Sequence, residues 1–336
     1  MALRLIEIYH PQGKADEIEL LLKDLPILET WHDHLTDNNE SVTKVLLKSK
    51  NIDSILDTLD RFFSTDKRMR IVILPVEATL PRPDKSEEKQ LEAKDTGKSP
   101  QRISMEELYQ KMYSVSGVSK KYIIMAALAS IVAAIGLLKN DVAVIIGSMV
   151  IAPLLAPNMA LSLATTLADL QLAKKAITTI ITGFTIVFII SLVFGFVMNV
   201  NPDIPQIAAR SDVSHFYILL ALAAGVAGAY SITAGVAEAL VGVMVAVALL
   251  PPLVASGLLF GGHYMNEGIG ALLLCLVNVV CINLAGVVTF LAEGIQPKSW
   301  WEAARAKKAV RAAIFIWIIM LVVLAVAIFF AQKLQQ

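Results

Sequence analysis

The sequence predicts a multi-span α-helical membrane protein with a small α+β domain at its N-terminus. Hydrophobic residues make up 56% of the 336 residues, and the mean hydropathy of +0.65 is higher than soluble globular proteins have. Most of the charged residues lie within residues 1–120. A polar N-terminal part therefore precedes an apolar part that is long enough for several spans.

Residues 1–78 show the pattern of a ferredoxin-like βαββαβ domain. Strands are predicted from alternating apolar and polar residues and helices from a period near four. The predicted strands are 4–9, 27–34, 42–48 and 70–76, and the predicted helices are 14–24 and 51–63. The domain has no Gly-rich phosphate loop, so we expect it to bind a ligand or to join subunits rather than to catalyse a reaction.

One cluster in this domain has metal-ligating side chains. His32 and His34 alternate along the second predicted strand and would share one of its faces, and His10 ends a strand that could lie beside it. Imidazole groups bind transition metals, but solvated strand ends before turns have a similar polar composition. The solvated strand end is the preferred interpretation, and no metal or cofactor is predicted.

Residues 79–103 are rich in Pro, Lys and Glu without periodicity, as is typical of a flexible charged linker. Ser104 and Glu107 then form the capping box of an amphipathic juxtamembrane helix within 104–119, which would lie on the cytoplasmic membrane surface. A plain helical continuation of the linker is the alternative. The transmembrane domain is predicted to occupy 120–336.

Seven apolar segments of this domain are long enough, or nearly so, to cross a bilayer. Five are uninterrupted and two contain prolines. With the N-terminus inside, nine Lys and Arg residues flank the cytoplasmic ends and three flank the opposite ends, which predicts a multi-pass inner-membrane protein with its N-terminal domain in the cytoplasm. The segments are 122–138, 142–170, 176–200, 215–230, 233–262, 267–292 and 309–332.

The two proline-bearing segments are similar to each other. "IAPLLA" at 151–156 aligns with "LPPLVA" at 250–255. These are the second and the fifth of the seven segments, and an odd displacement of three spans inverts one unit relative to the other. We expect an inverted 3+3 repeat whose middle helices both open at their prolines, because proline lacks the backbone donor. Proline kinks that serve only packing are the alternative. The prolines concerned are Pro153, Pro157, Pro251 and Pro252.

Polar residues near the two expected breaks are candidates for a solute path or its gate. Asn158 is expected to cap the second half of the first broken helix, whose free amides would attract anions. Capping and gating both remain open for Asp141 and Glu238. The candidates are Asp141, Ser148, Pro153, Pro157, Asn158, Glu238, Pro251, Pro252 and Ser256. Asn278 and Asn283 are secondary candidates, for which interhelical hydrogen bonds are the preferred interpretation.

Three blocks of the sequence resemble a known family. They are "ISMEELY" at 103–109, the long block "IVAAIGLLKNDVAVIIGSMVIAPLLAPNMALSLATTLADLQLAKKA" at 131–176, and "ALVGVMVAVALLPPLVASGL" at 239–258. On these blocks the chain is similar to the bacterial and archaeal family called domain of unknown function 389, over residues 103–292. The resemblance implies a multi-span inner-membrane protein and supplies no substrate.

The expected function is a transporter or channel for a small solute, with anions among the candidates. Its path would lie between the two inverted units, and the cytoplasmic domain would regulate it. The alternative is a membrane-anchored ligand sensor or scaffold without transport. An enzyme is not expected, because the membrane part has no nucleophile or paired carboxylates, and a net charge of zero gives no reason to expect nucleic acid. The expected partners are the lipid bilayer and further copies of the chain in a homo-oligomer.

Overall fold

The computed structural model describes residues 3–23, 25–35, 40–63, 69–76, 79, 103–211, 215–234, 238–295, 310–324 and 326. Within these ranges the side chains of some residues are outside the description, among them His34 and the whole stretch 238–247. Contacts divide the chain into two compact units, Met1–Glu107 and Leu108–Gln336. The predicted linker at 79–103 lies outside the described residues except at its two ends.

The first unit contains a four-stranded antiparallel sheet and two helices. The strands are β1 (Leu3–Pro11), β2 (Glu29–Leu35), β3 (Glu40–Lys48) and β4 (Arg70–Val76), and the helices are α1 (Ala15–Leu22) and α2 (Ile52–Phe63). The sheet order is β2-β3-β1-β4, and every neighbouring pair is antiparallel. The predicted order of strands and helices is confirmed, and it gives the strand order of a split βαβ arrangement.

The core of this unit forms because alternate residues of each strand face the helices. Ile6 and Ile8 of β1 and Val45 and Leu47 of β3 are fully buried. Burying side chains of this size stabilises a fold by about 1.5–3 kcal/mol each. The helix residues that pack into the same cluster are Ile18, Leu22, Ile52, Ile55, Leu56 and Leu59.

The boundary between the units falls inside helix α3 (Met105–Val115). The Ser104 hydroxyl accepts a hydrogen bond from the amide of Glu107 at 3.1 Å, which is one half of the predicted capping box. The carboxylate of Glu107 does not supply the other half, because it receives two hydrogen bonds from the Arg4 guanidinium through Nη2, at 3.0 and 3.2 Å. An ion pair within the first unit therefore replaces the reciprocal cap.

The described residues of the second unit form helices and the loops that connect them. Its shorter helices are α5 (Val142–Ile151), α6 (Leu155–Leu167), α8 (Pro205–Ser211) and α12 (Val310–Leu324), and its longer helices are α4 (Lys120–Leu138), α7 (Leu170–Val197), α9 (His215–Thr233), α10 (Glu238–Gly261) and α11 (Met265–Ala292). Buried alanines such as Ala126, Ala129 and Ala133 on α4 let the helices approach one another closely.

Among the described residues, four helices are long and apolar enough to cross a membrane by length and composition: α4, α7, α9 and α11. Helices α5 and α6 pass the same test only as a pair, which is bent by 52°, and they raise the number to five if the pair is one span. The described apolar part of α10 is shorter, at Ala248–Gly261, as is α12. The predicted seven spans and their orientation stay predictions, and part of the last span lies outside the described residues.

These helices form two sets, α4–α7 and α9–α11, and helices of one set pack against helices of the other. In the set α4–α7, the half-helix α6 packs against α11. In the set α9–α11, the middle helix α10 packs most extensively against α7. Each middle helix therefore contacts the last helix of the other set.

Candidate functional site

The break between α5 and α6 is short and lies at Ala152–Leu154. The Ala152 amide still donates to the Ser148 carbonyl, but Pro153 has no amide with which to continue the helix. The N-cap position of α6 is Leu154, which makes no side-chain cap. The predicted opening over Pro153–Asn158 is thus too long. Pro157 lies inside α6 as its third residue, where the amide that proline lacks would have no intrahelical partner.

Asn158 does not cap α6, contrary to the prediction. It is the fourth residue of the helix, past the position from which a side chain reaches the first free amides. Its Nδ2 instead donates to the carbonyl of Leu154 at 2.8 Å, and its Oδ1 accepts a hydrogen bond from Nδ2 of Asn283 on α11 at 3.0 Å. Asn158 therefore ties the start of α6 to a different helix.

Asn158, Ser162 and Asn283 form a fully buried hydrogen-bond network between α6 and α11. Ser162 Oγ lies 3.1 Å from the Asn158 carbonyl and 3.2 Å from Asn283 Oδ1. Gly286 permits this approach, because a Cβ at that position would lie 2.6 Å from Ser162 Oγ. Asn283 makes the interhelical hydrogen bonds predicted for it, and the sequence candidates Asn158 and Asn283 are brought together across 125 positions of sequence.

The second proline cluster does not break its helix. Helix α10 runs without interruption from Glu238 to Gly261, with Pro251 and Pro252 inside it. The predicted opening near these two prolines is therefore wrong, and so is the expectation that both middle helices are discontinuous. A proline inside a helix removes one hydrogen bond and clashes with the preceding turn, so the continuity of α10 needs compensation from another part of the chain.

The compensation comes from α11. Pro252 cannot donate to the carbonyl of Ala248, four residues earlier, but Nδ2 of Asn278 reaches that oxygen at 2.7 Å. The thiol of Cys275 lies 3.6 Å from the next carbonyl, that of Leu249. Neighbouring side chains that satisfy freed backbone groups allow proline to remain in an apolar helix. Asn278 thus makes an interhelical hydrogen bond, as predicted, and its acceptor is the carbonyl that the proline leaves free.

The two acidic candidates each lie at the start of a helix. Asp141 is the N-cap of α5, and its Oδ1 accepts hydrogen bonds from the amides of Ala143 at 2.9 Å and Val144 at 3.1 Å. Of the two roles considered for Asp141, the structure shows the helix cap. Glu238 is the first residue of α10, and its side chain lies outside the described part of the chain.

The two serine candidates are fully buried and bonded to protein. Ser148 donates to the Ile145 carbonyl of its own helix at 2.6 Å. Ser256 on α10 donates to the Gly268 carbonyl of α11 at 3.0 Å. Hydroxyls bonded in this way contribute to packing between and within helices.

Small residues form the contact between α7 and α10, and none of them is among the candidates from the sequence. A Cβ at Gly257 would lie 2.6 Å from Ser191 Cβ, and one at Gly261 would overlap the Leu192 carbonyl. The available signals were G-x-x-x-G at 257–261 and S-x-x-x-G at 191–195, spacings that let membrane helices approach closely. The α6–α11 and α7–α10 contacts thus each pair a serine with a glycine.

A second interaction missed in the sequence joins α3 to the start of α7. Asp169 is the N-cap of α7, and its Oδ2 also accepts a 2.7 Å hydrogen bond from the phenol of Tyr109. This hydrogen bond, together with partial burial, raises the pKa of Tyr109 to about 12. Lys175 donates to the Tyr113 carbonyl at 2.8 Å and lies 3.7 Å from the centre of its ring. The start of α7 is therefore held by α3.

In the first unit, two histidines bond to the same threonine. Thr43 Oγ1 lies 2.9 Å from Nε2 of His10 and 3.1 Å from Nδ1 of His32. His10 and Thr43 are buried, and His32 is exposed. The side chain of His34 lies outside the description. Among the described residues, no group of three or more His, Cys, Asp and Glu side chains could hold a metal.

Comparison with known proteins gives two matches. The profile of a family described as Domain of unknown function (DUF389) matches residues 149–284, which include the break, the asparagine network and both proline clusters. An uncharacterised protein of Methanocaldococcus jannaschii is 36% identical over 330 residues, which cover 98% of this chain and 100% of that protein. No solved structure matches the chain.

Proposed function

Because the chain belongs to the family of the domain of unknown function 389, whose description assigns no activity, we propose a function from the second unit. It is an inner-membrane transporter or channel for a small solute. The observation that carries the proposal is the 52° bend between α5 and α6. A break in an apolar helix exposes backbone groups that lipid cannot satisfy, so such breaks persist where protein or water surrounds them.

The lipid-facing character of the helices supports the membrane location. Ile181, Ile189 and Phe196 on α7 are each more than half exposed, although they are large apolar side chains. In water such a surface would favour association or aggregation, whereas lipid tails solvate it. We therefore place α4–α7 and α9–α11 in the bilayer, with the first unit in the cytoplasm as the distribution of Lys and Arg predicts.

The helix packing supports a path between two inverted three-span units. In the sets α4–α7 and α9–α11, each middle helix contacts the last helix of the other set. A two-fold relation between the two sets requires this exchange. A serine–glycine contact recurs in both interfaces, as Ser162 with Gly286 and as Ser191 with Gly257. Transporters built from inverted repeats bind their substrates near the interface of the repeats, beside discontinuous helices. The bent pair α5–α6 is the discontinuous element here.

Small anions are the solute class that we would test first. The start of α6 has no side-chain cap, and the free amides at a helix N-terminus carry partial positive charge. We place the regulatory link in α3, because the phenol of Tyr109 donates a hydrogen bond to Asp169, which lies two residues after the end of α6. A change in the N-terminal domain would be transmitted along that helix to the end of the bent pair.

The test is a flux measurement with the full-length protein in proteoliposomes. Stopped-flow light scattering would follow the entry of small neutral solutes and of small anions, the anions as potassium salts with valinomycin present so that K⁺ entry balances their charge. Pro153→Leu supplies the missing amide and removes the ring that clashes with the preceding turn, so we expect it to straighten the α5–α6 pair and to reduce flux severalfold. Pro205→Ala changes a proline at the first position of α8, where no helical hydrogen bond is at stake, and should leave flux unchanged.

Two outcomes would contradict this function. One is wild-type flux that does not exceed that of protein-free vesicles for any solute. The other is unchanged flux in a Pro153→Leu protein whose thermal unfolding shows that it is folded. Equal losses in Pro153→Leu and Pro205→Ala would show that the effect does not depend on the break.

A ligand sensor or scaffold without transport is the second candidate function. Its supporting observation is a groove of about 570 Å³ beside α1 and the start of β2, lined by Asp16, Glu19, Leu20, Ile27 and Glu29 among others. The groove combines carboxylates with apolar side chains, as ligand sites do. No flux from the wild type, together with a ligand-induced rise in unfolding temperature that Glu19→Ala abolishes, would favour this function.

A further inference from the structure

We propose that a second copy of this chain packs on the outer face of the first unit's sheet, around a two-fold axis that runs along the strands. The outer face is the one turned away from α1 and α2. The proposal does not depend on transport by the second unit. It rests on the exposed apolar side chains of this face and on the places that its charges occupy in the strand register.

The alternation of side chains along the strands defines the outer face. Ile8 of β1 points towards the helices and is fully buried, so its neighbour Glu7 points the other way. Residues paired across two strands point to the same side of the sheet. One row of the outer face therefore runs across all four strands, as Trp31, Lys44, Glu7 and Val72.

This face carries large apolar side chains that are exposed. Trp31 is 41% exposed and Leu74 is 38% exposed. Between Trp31 and Val76 lies a groove of about 440 Å³, to which all four strands contribute and in which Leu5 and Leu46 lie in the two central strands. The solvated face of an antiparallel sheet is usually polar, and an apolar surface of this kind indicates a face that another protein covers.

The charges of the face are arranged so that two copies of it complement each other. A two-fold axis that runs along the strands, between β3 and β1, places β3 of one copy over β1 of the other and β2 over β4. Lys44 then faces Glu7 of the second copy. In the next row Asp33 faces Arg70 of the second copy. Each contact pairs opposite charges, and the symmetry repeats each of them once.

The same charges exclude a two-fold axis that runs across the strands. Such an axis reverses the order of the rows. Through the row of Lys44 and Glu7, it would place each of these charges opposite its own copy. Between that row and the row of Leu46 and Leu5, it would bury both charges against leucines. Like charges and unpaired buried charges both cost free energy, so the axis along the strands is favoured.

Hydrogen bonds within one copy prepare the polar groups of this face for burial. Lys44 Nζ lies 2.7 Å from Asp33 Oδ2, and the Tyr9 phenol donates to Glu7 Oε2 at 3.0 Å. Side chains held in this way lose less freedom when a second copy covers them. The opposite charges of the second copy then extend existing pairs rather than replace water around free ones.

The size of the face predicts a weak contact. Four strands about 4.8 Å apart and seven residues of about 3.4 Å each give roughly 450 Å² in projection. Two copies would therefore bury about 900 Å², which is at the low end for specific interfaces. A method that traps the contact in the membrane is therefore required.

The test is photo-crosslinking of the full-length protein in proteoliposomes, with p-benzoylphenylalanine in place of Leu74. In the proposed dimer Leu74 lies over Glu29 of the second copy. We expect a product of twice the chain mass on a denaturing gel, with the crosslink in β2. The same probe in place of Leu20, which is 73% exposed on α1, is the matched control and should give no such product.

Charge reversal tests the direction of the axis. Asp33→Lys and Arg70→Glu should each lower the yield of the crosslinked dimer severalfold, because each places two like charges opposite each other. The double variant Asp33→Lys/Arg70→Glu restores opposite charges and should recover the yield. Within one copy the two residues lie on opposite edge strands, about 14 Å apart, so this recovery reports a contact between copies.

Four results would overturn the proposal. They are no dimer from the Leu74 probe, an equal yield from the Leu20 probe, no recovery in the double variant, and a Leu74 crosslink to residues 80–102 of the same chain. The last result would show that the chain's own segment covers the face. The substituted side chains are all exposed, and circular dichroism checks that each variant is folded. If a charge variant fails this check, the two probe positions decide the question.

Discussion

The side-chain amide of Asn278 donates a 2.7 Å hydrogen bond to the carbonyl of Ala248, the acceptor that Pro252 leaves without its backbone donor. The corresponding acceptor before Pro153 is the Met149 carbonyl, and within the described part of the chain no side chain donates to it. One proline segment therefore stays helical, and the other opens at Ala152–Leu154. The difference lies in what the neighbouring helix supplies, and it has testable consequences.

Removing the side-chain donor should destabilise α10. We expect Asn278→Leu to lower the free energy of unfolding by about 1 kcal/mol, because the Ala248 carbonyl is left buried without a partner. In that background Pro252→Ala restores a backbone donor four residues after Ala248 and should recover most of the loss. Pro251→Ala restores a donor to the carbonyl of Val247 instead, which Asn278 does not contact, and should recover less. Thermal unfolding in detergent measures all four proteins, and equal effects of the two proline changes would contradict this account.

The contact between α6 and α11 should not tolerate a methyl group at Gly286. A Cβ there would lie 2.6 Å from Ser162 Oγ, and we expect Gly286→Ala to cost about 1–3 kcal/mol through overpacking. Adding Ser162→Gly removes the atoms that clash and should restore part of the stability. Gly147→Ala on α5 is the matched control, since a Cβ there meets nothing within 4 Å, and it should be neutral or stabilising because alanine favours helix. Losses of equal size in both alanine variants would contradict the clash.

The Tyr109–Asp169 hydrogen bond predicts a loss of stability at high pH. The pKa of Tyr109 is raised from 10.0 to about 12 in the folded protein, so folding favours the protonated phenol. Its stabilising contribution is complete below pH 10 and is lost as the pH rises from about 10 to about 12. Tyr109→Phe should therefore unfold at a lower temperature than the wild type at pH 7, and the difference should shrink towards pH 12. A difference that stays constant over this range would refute the assignment.

The Arg4–Glu107 ion pair should contribute more to stability than the exposed pair of the same unit. The Arg4 side chain is 12% exposed, and the carboxylate of Glu107 accepts hydrogen bonds from two of its nitrogens, Nε and Nη2. The Lys44 and Asp33 side chains are 33% and 59% exposed. We expect Glu107→Gln to cost about 1–2 kcal/mol and Asp33→Asn less than about 1 kcal/mol. Thermal unfolding at low and at high salt measures both, and an equal cost would contradict the prediction.

The local features of the fold could be predicted from the sequence because their causes are local. Strand and helix periodicity predicted the order of the elements in the first unit, and it predicted each of their boundaries to within two residues. Asp141 caps α5 through amides two and three positions away, and Ser104 caps α3 through the amide of Glu107. A cap depends on neighbours in the chain, so its residue type and position suffice to predict it.

The candidate site could be predicted only in part. The sequence indicated a break at Pro153, and α5 does end there. It placed Asn158 at the helix start as a cap, whereas the structure turns this side chain towards Asn283. Gly257, Gly286 and Ser191 were not among the residues that the sequence indicated. Their close contacts arise when two helices meet, and only the G-x-x-x-G and S-x-x-x-G spacings indicated that small residues would lie between them.

By itself the sequence determined where the helices and strands lie, which helices are apolar, and where backbone donors are missing. These properties follow from residue type and spacing within a few positions. Only the tertiary structure decided what each missing donor does. Ala248 and Asn278 are 30 residues apart, and their hydrogen bond accompanies a helix α10 that runs without a break through its prolines. Helices α5 and α6, by contrast, are separated at Pro153 by a bend of 52°. A buried backbone group takes whichever partner lies within hydrogen-bond distance, and that partner is set by how the helices pack.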